Sequence, residues 1–322
     1  MSACFLYLLS AKRLKSLSAN AIIKRTGIIA ETYSWRKNHN IMISLILSLF
    51  CSAAISLIMR IAQKHTNNNI SMLMFNYIMC TAFACFFTIR DTGSVIPCGT
   101  GASYAVTLGL FNGCLYLGAF VLLQLNIQKN GVVLASTFMK LGVMVPVAAA
   151  VILFGEDPTV MQICGFVLAL AAIILINSGS RSGRPTGFGF ALILLLLVGG
   201  CADVMSKVYE ATGEPELKSH FLLLTFLTAL ILCCVLARVR EQKISVTDAV
   251  FGLILGIPNY LSSRFLLISL SSVPAVIAYP TFSVGTIVIV SLVSLSVFRE
   301  KLTGKQWTAI AIILLSLVLL NV

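Results

Sequence analysis

Ten long apolar runs constrain this chain more than any other feature. They lie at roughly residues 42–62, 70–90, 102–125, 131–154, 158–178, 187–207, 218–237, 248–270, 274–297 and 303–321. Each run approaches the ~20 residues that a helix needs to cross the hydrocarbon of a bilayer. Backbone N–H and C=O groups at that depth have no water to bond, so the runs must be helices. The sequence therefore predicts an all-α integral membrane protein with ten transmembrane helices.

The scarcity and placement of charge support a membrane class and disfavour nucleic-acid binding. Only 11% of residues are charged, whereas a soluble domain carries roughly a quarter. Half of the net charge of +12 comes from residues 1–41, which contain seven Lys and Arg against Glu31. Basic segments beside membrane helices are expected from topology and anionic lipid alone. We interpret residues 1–41 as a basic tail, disordered or not native, with Met42 as an alternative start.

An internal repeat is visible at an offset of 144 residues. Both copies carry a Glu-x-x-Thr-x-x-Gln pattern, and the match extends upstream without a gap. The coinciding pairs are Glu156 with Glu300, Thr159 with Thr303, Gln162 with Gln306 and Tyr116 with Tyr260. A polar break at residues 178–185 divides the chain into two halves of five helices, 42–178 and 187–322. Because five is odd, the halves must insert with opposite orientation, as two inverted five-helix repeats.

This plan resembles the drug/metabolite transporter superfamily, and within it the EamA-type proteins with ten helices. The resemblance rests on the five-plus-five organisation and on the Glu-x-x-Thr junction before the last helix of each half. It covers roughly residues 42–322, and the junction at Glu156 fits the family pattern better than the one at Glu300. The resemblance implies transport of small metabolites through a central cavity without a bound cofactor.

Ionisable residues inside the predicted spans are the first candidates for a solute site. Such residues cost on the order of 2.5–3.5 kcal/mol on insertion scales, so each needs a reason to be there. Lys140 lies near the middle of the fourth span, Arg264 well inside the eighth, and Asp203 inside the sixth. Two cations against one carboxylate predict an interior site of positive balance, suited to an anion or zwitterion. The alternatives are that Lys140 extends towards the membrane surface and that Arg264 packs against helix partners. Asp203 is the candidate for proton coupling, or alternatively forms an i, i+4 ion pair with Lys207.

Polar residues of the third and eighth spans form a second candidate set. Asn112 and Tyr116 lie in the third span, and Asn259 and Tyr260 in the eighth. As repeat equivalents, the two tyrosines could meet at one cavity, where they would bind solute. Interhelical hydrogen bonds, worth about 1 kcal/mol each, are the alternative interpretation.

Small residues and proline complete the sequence signals. The patterns Gly109-x-x-x-Gly113 and Gly252-x-x-x-Gly256 predict close helix packing. Pro146 interrupts the fourth span and can kink it, because proline removes a backbone donor.

The leading functional hypothesis is a secondary carrier for a small metabolite, with an amino acid or an organic anion or zwitterion favoured. Alternating access between the halves would move the solute across a membrane, which we expect to be the plasma membrane. A nucleotide-sugar or lipid-linked phosphate translocator is the alternative within transport, and a membrane scaffold or regulatory subunit is the alternative outside it. No nucleotide, zinc-protease or serine-hydrolase motif is present, so an enzyme is not expected, nor a cofactor, a metal or a nucleic-acid partner.

Overall fold

The computed structural model of the protein describes residues 42–62, 65, 69–130, 132–177, 190–240, 244–297 and 304–320. Residues 1–41, Glu300 and the polar break at 178–185 lie outside the described residues. The described residues from Ser44 onwards belong to one compact unit.

Helices account for all regular secondary structure in the described residues. They are α1 (Met42–Ala62), α2 (Asn69–Thr92), α3 (Ala102–Asn130), α4 (Val132–Leu141), α5 (Met144–Phe154), α6 (Val160–Asn177), α7 (Phe190–Thr212), α8 (Lys218–Val239), α9 (Val246–Ser269), α10 (Ala275–Ser296) and α11 (Gly304–Leu320). A short 3₁₀ turn, Pro215–Leu217, precedes α8. The predicted spans are thus confirmed as helices, most of them within a few residues of their expected ends.

Seven of the described helices are long and apolar enough to cross a membrane, and three shorter apolar stretches accompany them. The seven are α1, α2, α3, α7, the Pro215–Val239 segment, α9 and the Ala275–Val293 part of α10. The shorter stretches are Phe138–Phe154, Val160–Leu175 and Trp307–Leu320. The chain is therefore an integral multi-pass membrane protein.

The fourth predicted span is broken, which corrects the expectation of one continuous helix over 131–154. α4 ends at Leu141 and α5 begins at Met144. Pro146 has no N–H to donate to the Gly142 carbonyl four residues earlier. That carbonyl instead accepts from the backbone N–H of Val145, at 3.0 Å. Proline thus tightens the turn locally and interrupts the helix.

Two pairs of helices pack closely through glycines. On α3, a Cβ at Gly113 would lie 2.5 Å from Thr228 Cβ of α8. On α9, a Cβ at Gly256 would lie 2.5 Å from Met79 Cβ of α2. Only glycine allows backbones this close, so the close packing predicted for both Gly-x-x-x-Gly patterns is confirmed. In both contacts the two helices run parallel.

The two ends of the bundle can be distinguished by the helix termini that meet there. The C-terminal turn of α2 meets the first turn of α8, where Asp91 accepts a hydrogen bond from the Ser219 hydroxyl at 2.6 Å. We call this side the Asp91 end. The opposite side, where α8 ends with Arg238 in its last turn, we call the Arg238 end.

Candidate functional site

Lys140 and Asp203 form an opposed pair of charges deep inside the bundle. Lys140 lies in the last turn of α4, and Asp203 lies midway along α7, which packs against α4. Protein surrounds both side chains, and their charges interact, yet each residue keeps part of its surface exposed. Among the described residues, no ion pair within 4.0 Å joins them. They therefore form a pair of opposite charges that lies deep in the bundle without being joined into an ion pair.

Two tyrosines lie near Asp203. Tyr279 of α10 donates a 2.6 Å hydrogen bond to the backbone carbonyl of Asp203, and Tyr116 of α3 also interacts with the Asp203 charge. The Tyr116 hydroxyl lies 3.4 Å from Ser263 Oγ of α9. The sequence analysis selected Tyr116 but missed Tyr279. Tyr279 could have been noticed as a hydroxyl-bearing side chain directly before Pro280 in the ninth span.

Tyr260 occupies a different environment from its repeat equivalent Tyr116. It is fully buried and stacks on Phe87, with ring centroids 5.6 Å apart. Phe226 lies between the two tyrosines, 5.8 Å from each ring centroid. The structure thus does not bring Tyr116 and Tyr260 together at one cavity. Tyr260 belongs to an aromatic core on the Asp91 side of the interior.

Arg264 is neutralised by an acidic partner that the sequence analysis did not consider. Its Nη2 lies 2.7 Å from Asp91 Oδ2, and its Nη1 donates to Ser219 Oγ at 3.2 Å. Its guanidinium carbon lies 4.4 Å from the centroid of the Phe87 ring, a cation–π distance. The expected excess of interior positive charge therefore needs correction, because only Lys140 remains opposite Asp203. Asp91 was missed because the second span was expected to end at residue 90.

Lys207 also has partners other than the expected one. Its Nζ lies 3.1 Å from Glu156 Oε1 and 3.4 Å from Glu210 Oε2. The Glu156 carboxylate additionally accepts the backbone N–H groups of Ala275 and Val276, each at 3.0 Å. These are orphan donors at the start of α10, where a carboxylate is favourable. The hypothesis of an Asp203–Lys207 ion pair is replaced by a Glu156–Lys207–Glu210 cluster.

The two asparagines of the candidate set bridge helices. Asn112 of α3 donates to Thr225 Oγ1 of α8 at 3.5 Å, a long contact, and its own carbonyl oxygen is buried without a partner. Asn259 of α9 donates to Asn76 Oδ1 of α2 at 3.1 Å. These contacts favour the interhelical interpretation over solute binding for both residues.

Within the described ranges, no group of three His, Cys, Asp or Glu side chains is arranged to hold a metal ion.

Comparisons with known proteins agree with the resemblance found in the sequence. Residues 39–178, less than half of the chain, match the EamA-like transporter family, which supports the resemblance of this segment to the drug/metabolite transporter superfamily. An uncharacterized protein of Haemophilus influenzae is 24% identical over 276 residues, which cover 84% of this chain and 94% of that protein. One crystal structure has the same fold, with a TM-score of 0.70 at 13% identity over 87% of this chain and 96% of that one.

Proposed function

We propose that this chain, a multi-pass membrane protein with an EamA-like segment at residues 39–178, is a secondary carrier for a small zwitterionic metabolite. The observation that supports this proposal most is the unjoined Lys140–Asp203 pair, held deep in the bundle. Ionisable side chains in a membrane interior are functional by default, since burying them is costly. The solute moves by alternating access between two inverted five-helix repeats, 42–178 and 187–322.

The pairing of helices supports the inverted repeats. α2 of the first half packs on α9 of the second, and α3 of the first half packs on α8 of the second. Exchanging the halves converts the first contact into the second, because α2 corresponds to α8 and α3 to α9. Each of the two helix pairs also has a close glycine contact, in which Gly113 approaches Thr228 and Gly256 approaches Met79. Two copies of one contact are what a two-fold axis between the halves requires.

Contacts between the halves close the Asp91 end in this conformation. Asp91 of the first half binds Arg264 and Ser219 of the second. Glu156 of the first half binds Lys207 and the first turn of α10 in the second. Asp91 lies in the last turn of α2, and Glu156 lies in the loop after α5. Their partners in the second half lie towards the ends of helices on this same side of the bundle. In the proposed cycle these clusters separate when the interior opens towards the Asp91 end.

The charge balance favours a zwitterion over an anion. With Arg264 paired to Asp91, the interior pair offers one positive and one negative group to a solute. An α-carboxylate would bind Lys140 and an ammonium group would bind Asp203, each as a charge-assisted hydrogen bond. Tyr116 and Tyr279 add hydroxyl groups beside the carboxylate side of the site. A phosphorylated solute would instead need an excess of positive charge, and the pairing of Arg264 removes it.

The proposal is tested by solute uptake into proteoliposomes. We expect uptake of radiolabelled amino acids to be competed by other zwitterions, and not by the matching amine or carboxylic acid alone. Competition by the carboxylic acid alone, or by sugar phosphates, would contradict the zwitterion assignment.

The Asp203→Asn variant tests proton coupling. If uptake of the wild type responds to a pH gradient and this variant loses the response, Asp203 carries the coupling proton; an unchanged response excludes it.

A further inference from the structure

An apolar groove runs along the outside of the bundle between α3, α7 and α8. Its volume is about 490 Å³, and its walls include Gly118 and Val121 of α3, Val198 of α7, and Val235 and Val239 of α8. All three helices are membrane spans. The groove is distinct from the interior pair and from both polar clusters, none of whose residues line it.

The dimensions of the groove correspond to one leaflet of a bilayer. On α3 its lining extends from Cys114 to Leu122, and on α8 from Leu232 to Val239. At ~1.5 Å per residue these stretches are about 10–12 Å long. Half of a ~30 Å hydrocarbon core is about 15 Å. The groove therefore covers most of the depth of one leaflet, from mid-membrane to the Arg238 end.

Basic side chains lie at the outer end of the groove. Val239 is followed by Arg240 and preceded by Arg238, and both arginines are exposed. Lys129 is also exposed, in the last turn of α3 on the same side of the bundle. Arginine and lysine at this depth attract anionic lipid headgroups. The apolar walls and the basic end thus match the two parts of an anionic phospholipid.

We propose that this groove binds one acyl chain of an anionic phospholipid, whose phosphate lies near Arg238 and Arg240. A second copy of the chain is a poorer occupant, because a symmetric dimer brings the same patch of both subunits together. The arginines of the two copies would then face each other as like charges. The occupant is therefore a lipid from the surrounding leaflet.

The test is native mass spectrometry of the full chain released from micelles that contain phosphatidylglycerol or phosphatidylcholine with identical acyl chains. We expect the wild type to retain one phosphatidylglycerol in preference to phosphatidylcholine. Gly118→Leu places a side chain in the groove and should abolish that retention. Gly199→Leu adds the same side chain to α7 where a Cβ would meet nothing within 4 Å, and should leave retention unchanged.

The headgroup part is tested separately. Arg238→Gln with Arg240→Gln should reduce the preference for phosphatidylglycerol about fivefold per arginine, the equivalent of ~1 kcal/mol for each basic residue near a lipid surface. Equal retention of both lipids by the wild type would overturn the headgroup assignment. The acyl-chain assignment would be overturned if Gly118→Leu still retained the lipid. It would also be overturned if the wild type gave dimer masses that Gly118→Leu abolished.

Discussion

The interior charges and the charges at the Asp91 end differ in how completely the protein satisfies them. Arg264 and Lys207 each have a carboxylate within 3.1 Å, supplied by the opposite half of the chain. Lys140 and Asp203 face each other across α4 and α7 without joining. Paired charges hold helices together, whereas an unjoined pair has hydrogen-bonding capacity left for a solute. The comparison teaches that charge in a membrane interior must be examined with its partners before a role is assigned.

The largest expected effect comes from removing the interior cation. Lys140→Met keeps the length of the side chain but loses the charge that would bind a solute carboxylate. A hydrogen bond to a charged group is worth about 1.5–3 kcal/mol, so we expect uptake to fall about 10- to 100-fold. Initial rates in proteoliposomes provide the measurement. Lys140→Arg is the matched control and should keep part of the activity; equal rates in wild type and Lys140→Met would end the proposal.

A smaller and different effect is expected at the Asp91 end. Arg264→Met leaves Asp91 without its partner, and for this partly exposed pair we expect a loss of stability of about 1–3 kcal/mol. It should also favour the conformation that is open at this end. A cysteine in place of Ser263, next to Tyr116 in the interior, would then react faster with an impermeant thiol reagent added from that side.

A charge exchange provides the control for Arg264. Asp91→Arg combined with Arg264→Asp restores opposite charges and should recover slow labelling, although Phe87 loses its cation. If Arg264→Met lowers stability in detergent but leaves the labelling rate unchanged, the Asp91 cluster is a structural contact and takes no part in closure.

The smallest effects concern the duplicated helix contact. A methyl group at Gly113 or at Gly256 meets a neighbouring helix at 2.5 Å. Overpacking of this kind costs about 1–3 kcal/mol. We expect Gly113→Ala and Gly256→Ala to lower thermal stability by similar amounts, since both would meet the neighbouring helix at the same 2.5 Å. Gly118→Ala, whose Cβ would meet Val198 at an ordinary 3.5 Å, is the control. Unequal losses at Gly113 and Gly256 would argue against the symmetry of the halves.

The helices were predictable from sequence because hydrophobic runs report burial in lipid directly. The break between α4 and α5 was only partly predictable. Pro146 gave the signal for a kink, but whether a membrane helix bends or breaks at proline depends on its neighbours. Here α7 packs against the break, and a Cβ at Gly200 would lie 2.6 Å from the Gly142 carbonyl.

The partners of the charged residues were the least predictable part of the site. Lys140 and Asp203 could be chosen because their depth follows from their position in a run. Asp91 lies 173 positions from Arg264 along the chain, and Glu156 lies 51 positions from Lys207. Pairs so distant follow from tertiary packing alone. The same limit applies to Tyr116 and Tyr260, where Phe226 separates two residues that the repeat made equivalent.

The interruption at residues 142–143 has a mechanical consequence. α4 carries Lys140 at its C-terminal end, and α5 leads directly to Glu156 at the closed side of the bundle. A continuous helix would move Lys140 and Glu156 together as one rigid body. Because Pro146 already removes one backbone hydrogen bond here, α4 and α5 can change their angle to each other at little additional cost in free energy. In the proposed cycle the fourth span would then bend at this point, so that release of Glu156 from α10 need not move Lys140 away from the solute.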